Sequence, residues 1–579
     1  MWFRAYCDSH ASAAERETMT DQIDALRATW LGRLGHHAVF LAILGSAMLL
    51  RLILAYVAFP GQGYATDLQQ FASWASTIAA HGPGSFYQSS GANYPPGYMY
   101  VLWLIGAASG PVGSLFGIPT GDATLLLLKL PPMIADAAIG FLLYRAGTSW
   151  FGRTAGLVAA ALYLFLPVSW YDSALWGQVD AVGSLLMLAA VLALADGWSE
   201  PAMALAVAGV LVKPQGTICL VVVVPILVRR HLLRVGSGPL QQLGPRLARL
   251  NRRLHGALTY QGPLRIVSTL GVATLVGIAP LLPFDIQTFA PANLQGDLIV
   301  GHVSGLLGLF NSVSGQYSVL TANAFNVWSL AGSAPLASIA AGGGSWTPDT
   351  MTVLGGISAV QLGGALLVLV GMAVAAGLLL RDDRLSILLG FAVVAFAFYA
   401  LPTRVHERYL FPLYPVGALL VCSFPVGIAA YTTTAVLNAI NLHAVLGSSS
   451  QIGGFGRAVQ HGGGLGAGGF GGEASGSAAS ISLPFVDLAR SEVVVAAVAI
   501  GQTLAFAVLL AVWLVYAFGP IARSRRNARQ PTAARPTRSA LDRWWAVQDS
   551  NLRHPRCKRG ALTAELTARN AAGAAQGRN

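Results

Sequence analysis

The sequence places one carboxylate, Asp67, in a stretch where an acid could act on a substrate. Residues 60–98 contain no lysine or arginine, and Asp67 is their only acid among many aromatic residues and glycines. A carboxylate within hydrogen-bond reach of a hydroxyl can remove its proton while the oxygen attacks carbon. The pair Thr66-Asp67 could instead cap a helix over 68–80. Asp67 is therefore predicted to be a general base, a helix cap or a solvated acid of the loop.

Other polar residues lie within apolar runs, where each needs a partner or a task. Gln178 and Asp180 belong to the sequence Trp-Gly-Gln-Val-Asp, and Lys213 begins Lys-Pro-Gln. Asp180 and Lys213 could neutralise one another, or they could line a cavity in which Lys213 binds a phosphate. Lys129 and Asp136 are about two helical turns apart and could form a second pair.

A charged motif, Arg-Val-His-Glu-Arg-Tyr, stands at the end of a later apolar run and contains Arg404, His406 and Glu407. Arginine offers paired donors to a phosphate, and histidine can stabilise a departing phosphate. The motif is predicted to be either a phosphate clamp or an interfacial anchor.

Two loop motifs combine amides or tyrosines with other aromatic residues. Asn323 and Asn326 lie in YSVLTANAFNVW, which suits sugar binding and is also common in turns. Tyr94 precedes two prolines, which restrict the backbone and predict a rigid turn at the membrane interface.

The elements that must position these residues are membrane helices. Of the 579 residues, 54% are hydrophobic and only 10% charged, whereas soluble domains carry about a quarter charged residues. Lysine and arginine concentrate in 229–265 and 521–543 and are absent from 52–128 and 266–380. Because positive charge favours the cytoplasmic side, the first two regions are predicted inside and the last two should hold the outer loops.

The predicted fold class is all-α, a polytopic integral membrane protein with about twelve transmembrane helices. The expected spans are 37–59, 97–117, 122–145, 154–170, 174–196, 201–228, 265–284, 352–380, 385–402, two within 409–446, and 490–518. The segments around them are a cytoplasmic 1–36, outer loops 60–96 and 285–350, a basic inner loop 229–264, a Gly-rich outer loop 447–489 and a basic tail 519–579.

An alternative topology remains open. Counting twelve spans puts Arg145 and Arg153 outside, against the charge rule. The alternative treats 97–145 as one crossing plus an interfacial helix and divides 201–228 at Lys213-Pro214.

The sequence has no Walker motif, no GxGxxG before a helix, no HExxH and no cysteine–histidine spacing typical of a metal site. Its four cysteines are scattered. We therefore expect no nucleotide, no metal and no cofactor. A lipid-phosphate donor reached from the membrane fits better, and nothing indicates nucleic acid as a partner.

Taken in order, the motifs resemble the GT-C membrane glycosyltransferases. Within them, the resemblance is to bacterial proteins related to the mannosyltransferase that adds the second mannose of GPI anchors. The matching residues span about 50–415, so the domain 37–446 is expected to be GT-C-like. They are Asp67, Phe71, Trp74, Phe86-Tyr87, Tyr94 to Gly97, Lys129, Pro132, Asp136, Trp176 to Gln178, Asp180, Lys213 to Gln215, Asn323 to Trp328, and His406 to Tyr409.

The resemblance implies an enzyme of the bacterial plasma membrane with its active site on the outer face. It implies inverting transfer of mannose or glucose from a polyprenyl phosphate to an envelope glycan or lipid. It assigns Asp67 as the base, and His406 and Glu407 to the region of the donor phosphate. Two rival functions stay open: a flippase or transporter of lipid-linked sugars, and a structural subunit of an envelope assembly complex.

Overall fold

The computed structural model describes residues 37–233, 264–331, 347–424, 427–447 and 479–527, and nearly all of its regular structure is helical. The first helices are α1 (His37–Ala58), α2 (Ala65–His81), α3 (Phe86–Ser90), α4 (Pro96–Phe116), α5 (Thr120–Leu128), α6 (Leu130–Phe151), α7 (Arg153–Leu164), α8 (Pro167–Trp176), α9 (Asp180–Ala195), α10 (Ser199–Val212) and α11 (Thr217–Leu227). The later helices are α12 (Leu264–Ile278), α13 (Val300–Gly315), α14 (Ala359–Leu380), α15 (Arg384–Ala400), α16 (Leu413–Ser423), α17 (Gly427–Leu446), α18 (Val486–Ala489) and α19 (Glu492–Asn527). The strands are β1 (Gln62–Gly63), β2 (Thr352–Leu354), β3 (Ile357–Ser358) and β4 (Ala479–Ser480); β1 pairs with β4 in parallel, and β2 with β3 antiparallel.

Six helical stretches of the described chain are long and apolar enough to cross a bilayer. They are α1, α4, α5 with α6, Pro214–Leu232, α14 and most of α19. Helices α7 and α8 would add a seventh as one span bent by 50°, and five further apolar helices (α9, α10, α12, α15 and α16) have 10–17 residues. The protein is thus an all-helical, polytopic membrane protein, as predicted. A number near twelve requires the shorter helices to cross as well.

Several predicted boundaries change. The run 201–228, preferred as one span, is broken after α10, because Lys213 is extended (φ −156°, ψ 138°) and Pro214 has no N–H to continue the helix. The loop 60–96 is largely helical, and residues before α14 form the β2–β3 hairpin. The predicted segment 1–36, most of 229–264 and of 447–489, part of 285–350, and the tail from 528 lie outside the described residues.

Two apolar clusters form the core. The larger joins α6–α11 with α14–α17 and α19, and the smaller joins α2–α5 with residues 281–289 and α13. Tyr64 and Trp176 belong to the first cluster, whereas Leu68 and Val179 belong to the second. The stretch around Asp67 therefore lies at the seam between the two cores.

Arg51, a costly residue in a membrane span, faces the helix bundle and is fully buried. Its Nε donates to Asp136 Oδ2 at 2.9 Å, and its other nitrogens donate to the Leu164 carbonyl and Ser169 Oγ, both at 2.8 Å. The Tyr163 hydroxyl donates to the second Asp136 oxygen at 2.5 Å. This network fastens α1, α6, α7 and α8 together.

The suggested pair of Lys129 with Asp136 is wrong. Asp136 forms its ion pair with Arg51, whereas the Lys129 ammonium donates a hydrogen bond to the carbonyl of Ala174 at 2.9 Å. Lys129 stands at the junction of α5 and α6, and its side chain reaches the end of α8 instead of Asp136.

The two segments predicted as outer loops, 60–96 and 285–350, are tied by hydrogen bonds between distant residues. Asp285 accepts the backbone N–H groups of Tyr87 and Gln88 at 2.8 and 2.9 Å, so it caps α3 from the second region. Pairing of β1 with β4 joins the residues just before α2 to those just before α18. Both ties hold the seam between the cores.

We predict that Arg51→Met lowers the free energy of unfolding by about 3–5 kcal/mol, because it leaves Asp136 charged and unpaired in the core. The double variant Arg51→Met/Asp136→Asn removes that lone charge and keeps an acceptor for Tyr163. It should recover most of the loss in thermal unfolding of the purified protein in detergent. A double variant as unstable as the single one would show that the ion pair is not what Arg51 contributes.

Candidate active site

Asp67 lies in the first turn of α2 but does not cap it. The N-cap position is Tyr64, and no side chain accepts a capping hydrogen bond there. Instead, Asp67 Oδ2 accepts hydrogen bonds from Trp176 Nε1 at 2.8 Å and Gln178 Nε2 at 2.6 Å. Among the described residues none donates a hydrogen bond to Oδ1, and the side chain remains 16% exposed. One oxygen is thus anchored and the other is open to a further donor.

A tight turn between α8 and α9 presents these two donors. The end of α8 is a π-helical turn, and the carbonyl of Asp172 within it accepts both the Gly177 and the Gln178 N–H at 3.0 Å. Gly177 has φ +81°, a left-handed conformation that glycine adopts without strain. The Trp176 ring also stacks on Tyr64 with centroids 4.6 Å apart. The turn therefore holds indole and amide toward Asp67.

Asp180, the first residue of α9, lies between two cations. Its Oδ1 accepts a hydrogen bond from Lys213 Nζ at 2.5 Å, which confirms the pairing interpretation for these two residues. Its Oδ2 lies 3.5 Å from Arg408 Nε. Lys213 has an extended backbone at the break after α10, so its side chain does not follow the direction that the helix would impose. Its ammonium also lies 4.9 Å from the centre of the Tyr409 ring.

Arg408 is the cation that links the whole cluster. Its guanidinium donates to Glu407 Oε1 at 2.7 Å and lies 3.8 Å from Asp67 Oδ2 as well as beside Asp180. It also lies 5.4 Å from the centre of the Trp176 ring. Sequence reasoning included Arg408 in the charged motif predicted as a phosphate clamp and in the matched His-Glu-Arg-Tyr stretch, but singled out Arg404 as the site residue.

Arg404, the arginine that sequence reasoning selected, is engaged elsewhere. Its backbone is left-handed (φ +67°), and its Nε donates to Asp349 Oδ2 at 2.5 Å, while Nη1 donates to the Ser314 carbonyl. These contacts fasten the loop after α15 to the end of α13 and to the residues just before β2. A role of Arg404 in phosphate binding stays a prediction.

His406 is buried between aromatic rings. Its ring centre lies 4.9 Å from that of Tyr317 and 5.2 Å from that of Tyr409. Burial, reinforced by the charges of Arg408 and Lys213, holds the pKa of His406 well below its ordinary value. The imidazole is therefore neutral near pH 7 and can offer a hydrogen bond rather than a positive charge.

Glu407 is also buried and faces Arg408. Burial raises the pKa of its carboxyl, and the Arg408 guanidinium opposes that rise. Its backbone carbonyl accepts a hydrogen bond from Asn438 Nδ2 on α17 at 2.8 Å. Its Oε2 has no hydrogen-bond partner among the described residues.

The asparagines of the second outer region organise turns. Asn326 donates to the Tyr399 carbonyl at 3.0 Å and accepts the Trp328 N–H at 3.1 Å, as the turn interpretation predicts. Asn323 has φ +72°, and its carbonyl accepts from Asn441 at 2.9 Å. Contact of either with a sugar stays a prediction.

Tyr94 reaches the cluster from the turn before α4. Its hydroxyl lies beside the Arg408 guanidinium. Its ring packs against Phe71 and Trp74, with centroids 5.8 and 5.7 Å apart. The structure thus brings together Asp67, Gln178, Asp180, Lys213, Glu407, Arg408 and Tyr94. Within the described residues, no group of three or more histidine, cysteine, aspartate or glutamate side chains is placed to hold a metal ion.

Neither a protein-family model nor a curated protein matches the sequence. Among solved structures, the chain is similar to ArnT from Cupriavidus metallidurans bound to undecaprenyl phosphate, with 14% identity and a TM-score of 0.39 over 90% of this chain and 85% of that one. It is also similar to the oligosaccharyltransferase AglB from Archaeoglobus fulgidus in complex with an inhibitory peptide and a dolichol-phosphate, with 15% identity and a TM-score of 0.35 over 81% and 56%. The chain is similar as well to the apo form of the Archaeoglobus fulgidus oligosaccharyltransferase, with 14% identity and a TM-score of 0.34 over 89% of this chain and 64% of that one. The chain spans less than two thirds of those two archaeal structures. At such TM-scores, function has to be inferred from the chain's own site.

We predict that Gly177→Ala separates Asp67 from its two donors. The left-handed backbone costs a non-glycine residue about 1–2 kcal/mol, and the added Cβ would lie 2.7 Å from Leu68 Cδ2, on the helix that carries Asp67. The midpoint of thermal unfolding in detergent should fall accordingly.

Gly183→Ala is the matched control. Gly183 lies inside α9, and a Cβ there meets nothing within 4 Å. Because alanine favours a helix over glycine by up to about 1 kcal/mol, this variant should be unchanged or more stable. Equal behaviour of the two variants would mean that the turn at Gly177 does not depend on its left-handed backbone.

Proposed function

We propose that this chain is an integral-membrane glycosyltransferase of the GT-C type. It transfers a hexose, mannose or glucose, from a polyprenyl phosphate to an envelope glycan or lipid, with inversion and without nucleotide, metal or cofactor. The observation that carries this proposal is the half-anchored Asp67 carboxylate next to two buried cations. A base and a cationic site for an anionic leaving group are what such a transfer needs.

In the proposed reaction, Asp67 Oδ1 takes the proton of an acceptor hydroxyl. The acceptor oxygen attacks the anomeric carbon, and the bond from that carbon to the phosphate oxygen breaks. The bonding electrons go to that oxygen, so the polyprenyl phosphate leaves with one more negative charge. Asp67 later returns its proton to solvent.

Trp176 and Gln178 hold the other Asp67 oxygen, so the base keeps one orientation. Their hydrogen bonds also satisfy half of a carboxylate that would otherwise be poorly solvated at the membrane surface.

Arg408 and Lys213 stabilise the leaving phosphate in this proposal. Both already lie near carboxylates, so each is held in place before a donor arrives. Neutral His406 can add a hydrogen bond. In this proposal Arg408 binds the phosphate in place of Arg404, because its guanidinium lies 3.8 Å from Asp67.

We place the site on the outer face of the bacterial plasma membrane. In support, α14 has 22 residues and so spans about 33 Å, and the turn Arg381–Arg384 follows its far end. There Arg230 pairs with Asp382 at 2.6 Å. Basic residues at that end fit a cytoplasmic location, whereas the sequence stretch 60–98, which contains Asp67, has no lysine or arginine.

Asp67→Asn should lower the rate of transfer by about 10²- to 10⁴-fold, since the amide cannot take the proton. The assay uses radiolabelled polyprenyl-phosphate mannose and polyprenyl-phosphate glucose, each against total envelope lipid and glycan, in proteoliposomes. The donor that gives product names the sugar.

Asp297→Asn is the control. Asp297 is an exposed acid of the second outer region that caps α13 through the Ile299 and Val300 N–H groups, a role that asparagine keeps. It should retain wild-type transfer. Full activity of folded Asp67→Asn would remove Asp67 as the base. Movement of a labelled lipid across the bilayer without transfer would favour the flippase.

Arg408→Lys keeps the charge but loses the planar fork that reaches several carboxylates at once. We expect transfer to fall by about 10²-fold or more. Lys213→Arg keeps a charge at the second position and should be milder. An unimpaired Arg408→Lys variant would mean that the fork of Arg408 is not used on the phosphate.

A further inference from the structure

Asp172 is a buried carboxyl that the proposed reaction does not use. It lies in the π-helical turn of α8 and is fully buried. Neither of its side-chain oxygens has a hydrogen-bond partner among the described residues. Its main chain is engaged, because its carbonyl accepts the two N–H groups of the turn that presents Gln178.

The charged groups that face Asp172 come from several elements. Asp180, Lys213 and Arg408 face it from the site, and Asp136 faces it from α6. The Tyr163 hydroxyl lies nearby, already donating to Asp136. In the turn that contains Asp172, the carbonyl of Ala174 accepts a hydrogen bond from the Lys129 ammonium.

The charges of this cluster do not balance if every acid is ionised. Asp67, Asp172, Asp180 and Glu407 would carry four negative charges, whereas Lys213, Arg408 and Lys129 carry three positive ones. Asp136 is neutralised by Arg51 and needs no other cation. An anionic donor would add to the excess.

Asp172 is the acid least able to carry a charge. A buried carboxylate without a hydrogen bond or an ion pair is strongly disfavoured and takes up a proton instead. Asp67, Asp180 and Glu407 each have a cation or hydrogen-bond donors within reach, but Asp172 has neither at bonding distance.

We propose that Asp172 is held as a neutral carboxylic acid, and that its neutrality keeps Lys213 and Arg408 available to the donor phosphate. It is a positioning residue, acting through those two cations. Ionisation of Asp172 at alkaline pH would place a further negative charge beside them, in competition with the phosphate. The second half of this inference rests on the proposed function, whereas the protonation state does not.

The protonation state is tested without any substrate. The infrared spectrum of the full-length protein at neutral pH, minus that of Asp172→Asn, should contain the carbonyl band of a protonated carboxylic acid. The band should shift on exchange into deuterium oxide. Absence of this band from a folded pair of samples would overturn the proposal, whatever the protein catalyses.

The functional half is tested by the pH dependence of donor binding. In the wild type, the KM for the polyprenyl-phosphate sugar should rise at alkaline pH, approaching about tenfold per pH unit, with kcat little changed. Asp172→Asn is permanently neutral. It should keep wild-type KM at neutral pH and lose the alkaline rise, which a merely structural role would not produce.

Lys213→Arg tests whether Lys213 is the source of the alkaline rise, because arginine does not lose its proton in this range. The rise should persist in that variant. Its disappearance there would assign it to Lys213, and its persistence in Asp172→Asn would assign it to another group such as Lys213 or Lys129. Either result would overturn the functional half. If Asp172→Asn does not fold, a wild-type KM that stays flat at alkaline pH overturns it equally.

Discussion

The site depends on one acid shared by two cations. Asp180 binds Lys213 through one oxygen and faces Arg408 with the other. It thereby joins the start of α9, the break after α10 and the loop before α16. In a low-dielectric core such charges are stable only when paired with good geometry. Arg408 connects Asp67 to this ion cluster, so a shift of its guanidinium would alter the surroundings of Asp67, Asp180 and Glu407 together.

Amide side chains of the surrounding fold hold in position the loops that carry this ion cluster. Asparagines of α17 bind the backbone of the Glu407 and Asn323 loops, and Gln215 donates to the Tyr409 carbonyl at 2.6 Å. Because amides carry no charge, they fix loop positions without competing for the cations. Asp67 is likewise oriented by uncharged donors, the indole of Trp176 and the amide of Gln178.

Much of this arrangement was predictable from the sequence. Apolar runs of about 20 residues predicted the membrane class and the positions of most long helices, and the Asp180–Lys213 pair followed from the cost of lone charges in such runs. The choice between Arg404 and Arg408 did not follow. Both lie in an irregular loop, and the left-handed backbone at Arg404, which has no periodic signature, sends the former to Asp349. The partner of Arg51 was likewise hidden, because it depends on packing between distant helices.

The order of the site residues along the chain determines when, during synthesis, the site can be completed. Asp67 and Arg408 are more than three hundred residues apart, and β4 comes later still. At a synthesis rate of about 5–20 residues per second, the first helices wait on the order of tens of seconds for the segments that complete the seam. During that interval Asp67 has its partners Trp176 and Gln178 before it has its cation. A half-made chain can therefore hold an oriented Asp67 carboxylate and the Asp180–Lys213 pair before Arg408 is available to link them.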